Sequence, residues 1–327
     1  VRSLSASFRG MDTSALTEQK NYCNTLVSGL YFAKRCKISR LQCRHEVRRW
    51  NYGFCLVVRT STGVTMQLRI RFDGKKQGLA VPLHYNKALQ AVIYKKIEQT
   101  DPLLATYVHD KGAKDPETAR RLKLFTFSRL LPSGKPKVDP QKKVVWLRFP
   151  ISWIIASPIS DFVVALYNGF LKDGRAALFT EGSDGEQTLQ VSSLWVEQEP
   201  KFSSPVLVET LSPITVYRTE EKDGKKFTRY LSPSDPDFSR LLLENLCRKH
   251  RTLTGAKISP KASNYIKPIR TSERETVVYY GETLIKAWSG VFELSVPLEL
   301  FRVAFSCGLG AKNSQGFGCI AVWRGNL

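Results

Sequence analysis

From Met66 onward the hydrophobic period of the chain switches between that of a strand and that of a helix in a set order. That order restricts the fold more than any other feature. Met66-Gln-Leu-Arg-Ile-Arg-Phe72 alternates apolar and polar side chains as a half-buried strand does. After Pro82, the segment His84–Ile97 carries Leu89, Val92, Ile93 and Ile97 at helical spacing. Strand-like runs follow at Leu122–Leu131 and Val144–Ile151. A second helix is expected over Asp161–Lys172, burying Phe162, Val163, Leu166, Tyr167 and Phe170, with Gly174 as its C-terminal cap. Gln187–Glu197 closes the series as a strand.

The series then repeats. Val206–Glu209 and Ile214–Arg218 read as strands, separated by Ser212-Pro213. Pro233-Ser-Asp-Pro236 predicts a helix start, with Asp235 as cap and Pro236 in the first turn. Phe238, Leu241, Leu242 and Leu246 form its apolar stripe, and Arg248, Lys249 and Arg251 stand at its C-terminal, negative end. Strands are expected at Thr276–Tyr280, Lys286–Ser295 and Cys319–Trp323, with a short helix around Leu298–Ser306. Two βαββαβ units in tandem follow from this order: an α+β chain of ferredoxin-like (RRM-like) domains, at 66–204 and 205–327.

The first 65 residues form a basic extension, with eleven Lys or Arg against three acidic residues. They are either a disordered arm or a segment upstream of a natural start at Met66. The whole chain carries 50 Lys and Arg against 29 Asp and Glu, a formal charge of +21, so the body stays basic without the extension. Such an excess favours polyanions through release of condensed counterions, and nucleic acid is the partner class it indicates. With no apolar run of about 18 residues and no apolar signal at the start, no membrane span is expected and the protein is placed in the cytoplasm. The seven cysteines are odd in number and include no CxxC pair, so no disulfide framework is expected. The spacing of Cys36, Cys43 and His45 matches no common zinc site, and no metal or other cofactor is expected.

The most specific motif is Gly308-Leu-Gly310-Ala-Lys-Asn-Ser-Gln-Gly316-Phe-Gly318. Four glycines free the backbone for positive φ and close approach, while Lys312, Asn313, Ser314 and Gln315 offer one charge and several donors. The motif lacks the terminal Gly-Lys-Ser/Thr of a nucleotide P-loop. The loop is expected to contact RNA through Gly308, Gly310, Lys312, Asn313, Ser314, Gln315, Gly316 and Gly318. Further basic residues, Arg120 and Arg121, then Lys261, Lys267 and Arg270 with Lys257 and a Tyr265 suited to stacking on an unpaired base, fit an RNA path; a solvated linker around Pro260 and Pro268 is the other reading of the second group.

This loop at the C-terminal end of a basic two-ferredoxin body resembles the CRISPR repeat-processing endoribonucleases of the repeat-associated RNA-binding superfamily, the Cas6 family. Val81-Pro-Leu-His-Tyr-Asn86 leading to Leu89-Gln-Ala-Val-Ile-Tyr94 is similar to the family's first helix. Leu104-Ala-Thr-Tyr-Val-His109, Lys123-Leu-Phe-Thr-Phe-Ser128 and Thr210-Leu-Ser-Pro-Ile214 are similar to later segments, so the likeness runs from Met66 to about Trp323. The resemblance implies that Tyr94, His109 and Lys123 are the catalytic group. Taken singly, they read as a half-buried helix anchor, a solvated loop histidine and a phosphate contact. The Lys111–Arg121 insert lengthens the gap between His109 and Lys123. The chemistry fits: a histidine titrating near neutrality moves protons, and a lysine stabilises charge on a phosphorane-like transition state.

What the resemblance implies is metal-independent cleavage of precursor CRISPR RNA within each repeat, leaving a 2′,3′-cyclic phosphate or 3′-phosphate and a 5′-hydroxyl. The alternative is a non-catalytic subunit that binds repeat or guide RNA in an interference complex. The partners implied are CRISPR repeat RNA and other CRISPR-associated subunits; monomer and homodimer both remain open. Every motif lies downstream of Met66, so residues 66–327 are expected to fold and bind repeat RNA alone. Thermal unfolding and RNA affinity of both lengths at fixed salt check this, and an unfolded or RNA-blind truncated chain overturns it.

Overall fold

The computed structural model describes residues 66–178, 187–197 and 199–325, and the backbone of 48–49 and 55–56. The chain divides into two compact units, Val1–Val57 and Val58–Leu327. In the first, Arg48–Arg49 pairs antiparallel with Cys55–Leu56; the rest of it, including Cys36, Cys43 and His45, lies outside the described residues.

Within the second unit the same six-element order occurs twice. The first set is β1 (Met66–Asp73), α1 (Asn86–Glu98), β2 (Thr126–Phe127), β3 (Ile151–Ser157), α2 (Ser160–Asp173) and β4 (Gln187–Glu197). The second is β5 (Val206–Thr210), α3 (Phe238–Thr254), β6 (Tyr265–Thr271), β7 (Gly290–Ser295), α4 (Leu298–Cys307) and β8 (Ile320–Val322). The antiparallel sheets run β4-β1-β3-β2 and β8-β5-β7-β6, the same arrangement in each half. The fold is therefore a tandem of ferredoxin-like α+β units. Arg175–Leu178 extends the first sheet beyond β4, and Leu131–Pro132 also pairs with β3.

Alternation drives the first sheet: Leu68, Ile70 and Phe72 of β1 are fully buried, and β3 sets Leu68 opposite Ile155 and Ile70 opposite Trp153. The apolar stripe of α1, Leu89, Val92, Ile93 and Ile97, and that of α2, Phe162, Val163, Leu166 and Phe170, close this core. Gly174 ends α2 in the left-handed conformation expected of it, at φ 62°. A second core gathers Leu242 and Leu246 of α3, Leu300, Phe301 and Ala304 of α4, and Phe292 and Leu294 of β7. Leu124 of the first half joins this second core. The buried Gln67 amide donates to the carbonyls of Phe305 and Ile320 at 3.0 and 3.3 Å, tying β1 to the second half.

Several expected elements differ. The run Leu122–Leu131 is three short pieces. Arg121–Leu122 pairs with Ala113–Lys114, Thr126–Phe127 with β3, and the side chain of Leu124 between them turns away into the second core. Val144–Ile151 breaks at Pro150, which has no N–H for a ladder. Val144–Arg148 instead pairs with Gly78–Pro82 and Lys137–Asp139 in a separate sheet. The helix expected from Pro233 starts at Phe238. Asp235 accepts the Asp237 N–H at 3.0 Å in a preceding turn, so it shapes the approach rather than capping the helix. Lys286–Ser295 is divided between β7 and the arm Thr283–Ala287 of a hairpin with Thr276–Tyr280. A second hairpin, Tyr217–Lys222 with Lys225–Tyr230, turns at Asp223-Gly224, both residues at positive φ, a two-residue signal present in the sequence. The segment around Pro268 is strand β6.

The helices α1 and α2 cross where Gly169 faces the backbone of Lys96. A Cβ at Gly169 would lie 2.2 Å from the Lys96 carbonyl oxygen. Gly169→Ala is expected to destabilise the protein by about 1–3 kcal/mol through overpacking. A lower urea midpoint at unchanged m-value checks this.

Candidate active site

Helix α1 presents two faces of different chemistry. Along the edge of its apolar stripe, Asn86, Gln90 and Tyr94 recur at four-residue spacing and form one row. Asn86 donates to the carbonyls of Gln315 and Gly316, at 2.8 and 3.3 Å, and accepts from Arg129 at 2.9 Å. Gln90 donates to the Ser314 carbonyl and accepts from the Tyr280 hydroxyl. The row thus joins α1 to the glycine-rich loop and to the hairpin Thr276–Ala287. Its last member, Tyr94, stands at the candidate chemistry.

Tyr94, His109 and Lys123 meet in space. The Tyr94 and His109 rings pack edge to face, with centroids 4.8 Å apart at 78°. The Lys123 ammonium donates to the Tyr94 hydroxyl at 3.2 Å and lies 5.4 Å from its ring centre. The insert between His109 and Lys123 folds back on itself: His109 sits in a π-helical turn, Tyr107–Lys111, that stops at Gly112, and Ala113–Lys114 pairs with Arg121–Leu122. The longer gap in sequence therefore leaves the two side chains at one site.

Burial, with the nearby Tyr280 and Asp110, raises the Tyr94 pKa far above that of an ordinary phenol. Its proton stays in place at neutral pH, and because Lys123 occupies the oxygen as a donor, the O–H is available to an incoming acceptor. Burial lowers the Lys123 pKa, and the charge of Asp110 opposes that shift. His109 is exposed, and its Nδ1 lies 2.5 Å from the Asp110 carboxylate. A carboxylate only accepts, so this contact places the proton on Nδ1 and leaves Nε2 free. Nothing in the sequence singled out Asp110 beyond its adjacency to His109.

The glycine-rich loop is packed between the two halves. Gly308, Gly310, Gly316 and Gly318 are all buried at positive φ. A Cβ at Gly318 would lie 1.9 Å from the Leu309 carbonyl oxygen, and one at Gly310 would lie 2.4 Å from that of Thr215. Asn313, expected as an RNA contact, is buried and donates to the Leu309 and Phe317 carbonyls at 2.9 Å each. These glycines and Asn313 therefore build the loop. Lys312, Ser314 and Gln315 are partly exposed, with the Lys312 ammonium 5.5 Å from the ring centre of Tyr217 and the Gln315 Oε1 turned inward and buried. Thr126 donates to the Phe317 carbonyl at 3.0 Å, and Phe317 lies in a small core with Val278, Ile285 and Ala287 of the hairpin.

Lys249, expected only as a charge at the negative end of its helix, turns inward. It is 5% exposed, and its ammonium nitrogen donates to the Gly308 and Gly310 carbonyls at 2.7 and 2.9 Å. The signal was its place in register with Leu242 and Leu246 on the apolar stripe of α3. Of the other basic candidates, Arg120 and Arg121 are exposed on the insert, and Arg121 donates to the carbonyls of Lys111 and Gly112. Lys261 and Arg270 are exposed. Lys267 pairs with Glu293 at 2.8 Å, and Tyr265, the expected stacking residue, donates its hydroxyl to the same carboxylate at 2.8 Å. Lys257 pairs with Glu117. Among the described residues no group of three or more His, Cys, Asp or Glu is arranged to hold a metal ion, and no helix is long and apolar enough to cross a membrane.

Two family models match the chain. One described as CRISPR-associated protein Cas6, N-terminal, covers residues 80–182, and one described as CRISPR associated protein Cas6, C-terminal, covers 197–322. A CRISPR-associated endoribonuclease Cas6 of Pyrococcus furiosus is 27% identical over 78% of this chain and 88% of its own length. CRISPR-associated endoribonuclease Cas6 1 of Methanocaldococcus jannaschii is 25% identical over 73% of this chain and 86% of its own. In fold, the chain is similar to the product of a Cas6-related gene of Pyrococcus furiosus, with TM-score 0.68 and 19% identity over 80% of this chain and 100% of the other. It is also similar to an RAMP protein binding different RNA substrates, with TM-score 0.65 and 20% identity over the same shares.

The carbonyl cage of Lys249 yields a pH dependence. Burial lowers its pKa from 10.5 to about 7. A neutral amine keeps two N–H groups, enough for both carbonyls. Between those values the unfolded chain binds the proton more tightly, so this group makes the folded state more stable as pH rises from about 7 towards 10.5. Melting temperatures across that range should climb more steeply in the native protein than in Lys249→Met; equal slopes overturn the assignment.

Proposed function

The chain belongs to the Cas6 family of CRISPR-associated proteins, and from that premise we propose that it is a metal-independent endoribonuclease that cuts precursor CRISPR RNA within its repeats. The observation that carries this reading is the meeting of Tyr94, His109 and Lys123 at one partly open site. The naming of two relatives as CRISPR-associated endoribonucleases supports it.

The ribose 2′-OH on the 5′ side of the cut loses its proton and attacks phosphorus. The bond from phosphorus to the 5′-oxygen breaks, and that oxygen gains a proton. The products are a 2′,3′-cyclic phosphate and a 5′-hydroxyl, with no external co-reactant. Nε2 of His109, left free by the Asp110 contact, is the proton-transfer atom. The Tyr94 O–H and the Lys123 ammonium are donors to the non-bridging phosphate oxygens, whose negative charge grows in the transition state. Lys123 acts on Tyr94 as well, since its bond to the hydroxyl oxygen leaves the phenolic proton to the substrate.

His109→Ala is expected to slow single-turnover cleavage by about 10²–10⁴-fold while leaving RNA affinity nearly intact. Tyr94→Phe and Lys123→Ala are expected to cost less individually. EDTA should have no effect, and a deoxyribose 5′ to the cut should abolish cleavage but allow binding. Full activity of His109→Ala, or cleavage of the deoxy substrate, would sink the mechanism. Repeat RNA bound but uncut by the native protein would favour a guide-RNA-binding subunit.

A further inference from the structure

Between Val108 and Phe125 the chain crosses from one hydrophobic core to the other and back, and the candidate catalytic residues stand at the crossings. Val108 is buried in the first core, whereas Ala113 packs against the second. His109 lies between them. Leu122 packs against the second core, Leu124 is buried in it and Phe125 belongs to the first, so the return begins just after Lys123. There the Phe125 N–H donates to the Lys123 carbonyl at 2.9 Å, a tight reversal. Tyr94 itself packs against the first core. The placement of His109 and Lys123 against Tyr94 therefore depends on how the second half holds the insert.

That hold is concentrated at one residue. Of residues 113–123, only Asp115 is buried. Arg251 of α3 donates to its two carboxylate oxygens at 2.9 and 2.8 Å, the Thr118 hydroxyl donates at 2.6 Å and the Glu117 N–H at 3.3 Å. The Arg251 and Thr118 bonds keep the Asp115 carboxyl well below the usual carboxylate range, so it is charged at neutral pH. The Asp115 N–H donates to the Arg120 carbonyl at 3.0 Å, closing the turn whose arms, Ala113–Lys114 and Arg121–Leu122, pair with each other. One arm leads back to His109 and the other runs directly into Lys123. Gly112 leaves little play in the first connection: its φ is 60°, and a Cβ there would lie 2.9 Å from the Leu122 carbonyl oxygen. A buried ion pair recovers little net stability, because desolvation of both charges offsets their attraction. What it fixes is geometry, since a guanidinium that meets a carboxylate through two parallel bonds admits one mutual orientation.

We propose that Asp115 and Arg251 are positioning residues for the cleavage: their pairing across the two halves holds the His109 turn at the Tyr94 site. The inference rests on the RNA-cleavage reading above and deepens it, because neither residue touches the reacting atoms. The sequence gave Asp115 no role and showed Arg251 only as a charge at a helix end.

The test measures single-turnover cleavage and repeat-RNA affinity separately, on the full chain. Asp115→Asn sets an NH₂ donor against a guanidinium that only donates, so the two-pronged contact is lost. Misplacing a reacting group by about 1 Å costs on the order of 10²-fold, so cleavage should slow by about 10–100-fold with affinity nearly intact. Arg251→Lys keeps the charge without the fork and should act in the same direction, which preserves the test if Asp115→Asn does not fold. A double-mutant cycle separates positioning from mere stability. In the His109→Ala chain the group to be positioned is gone, and Asp115→Asn should add little further loss. Native rates in both clamp variants, affinity that falls in step with the rate, or an equally large loss in the His109→Ala chain overturn the positioning role. Native protein that binds repeat RNA without cutting it overturns the cleavage reading itself.

Discussion

The burial of residues 308–318 between the two ferredoxin-like halves is the constraint on which the rest of the structure depends. The loop presents backbone carbonyls in both directions. Those of Gln315 and Gly316 receive Asn86, that of Ser314 receives Gln90, and those of Gly308 and Gly310 receive Lys249. A buried carbonyl without a donor costs free energy, so each half must keep its donor in place. Only glycine allows the close approach at Gly318 and Gly310, where a Cβ would run into the Leu309 and Thr215 carbonyls. The loop thereby fixes α1 in rotation about its axis, and with it the direction of Tyr94.

The electrostatics at the site follow from that placement. Tyr94 is buried far enough that its proton is held, and Lys123 is drawn to the phenol oxygen in the same partly dry environment. His109 stays exposed, where a polymeric substrate can reach it, and takes its orientation from Asp110. The insert between His109 and Lys123 would cost loop entropy if it were free. Instead Arg251 anchors it through Asp115 and Glu117, joining the second half to the segment that closes the candidate site.

Parts of this were legible in the residues themselves. The stripes of α1 and α2, the alternation of β1 and the full extent of β4 are local patterns, and each folds where its period indicates. The short pieces between residues 121 and 132 were not legible as such. They are apolar for two different reasons, Phe127 for the first core and Leu124 for the second, and a window along the chain cannot separate two cores. The Asp223-Gly224 turn carried a hairpin signal, whereas β6 was masked by Lys267 and Pro268, which suggested a linker. Tyr265 looked free to stack, but its hydroxyl is bonded to a carboxylate on the neighbouring strand.

By itself the sequence determined the main helices, the strands β1 and β4 and the tandem ferredoxin-like class, because periodicity is a property of short stretches. Only the tertiary structure decided that Tyr94, His109 and Lys123 share a site, that the glycine loop is an internal joint with few outward side chains, and that Lys249 is buried among carbonyls. The reason is range. Which carbonyl meets which donor, and which carboxylate an arginine holds, depend on contacts between residues far apart along the chain, and no local pattern encodes those distances.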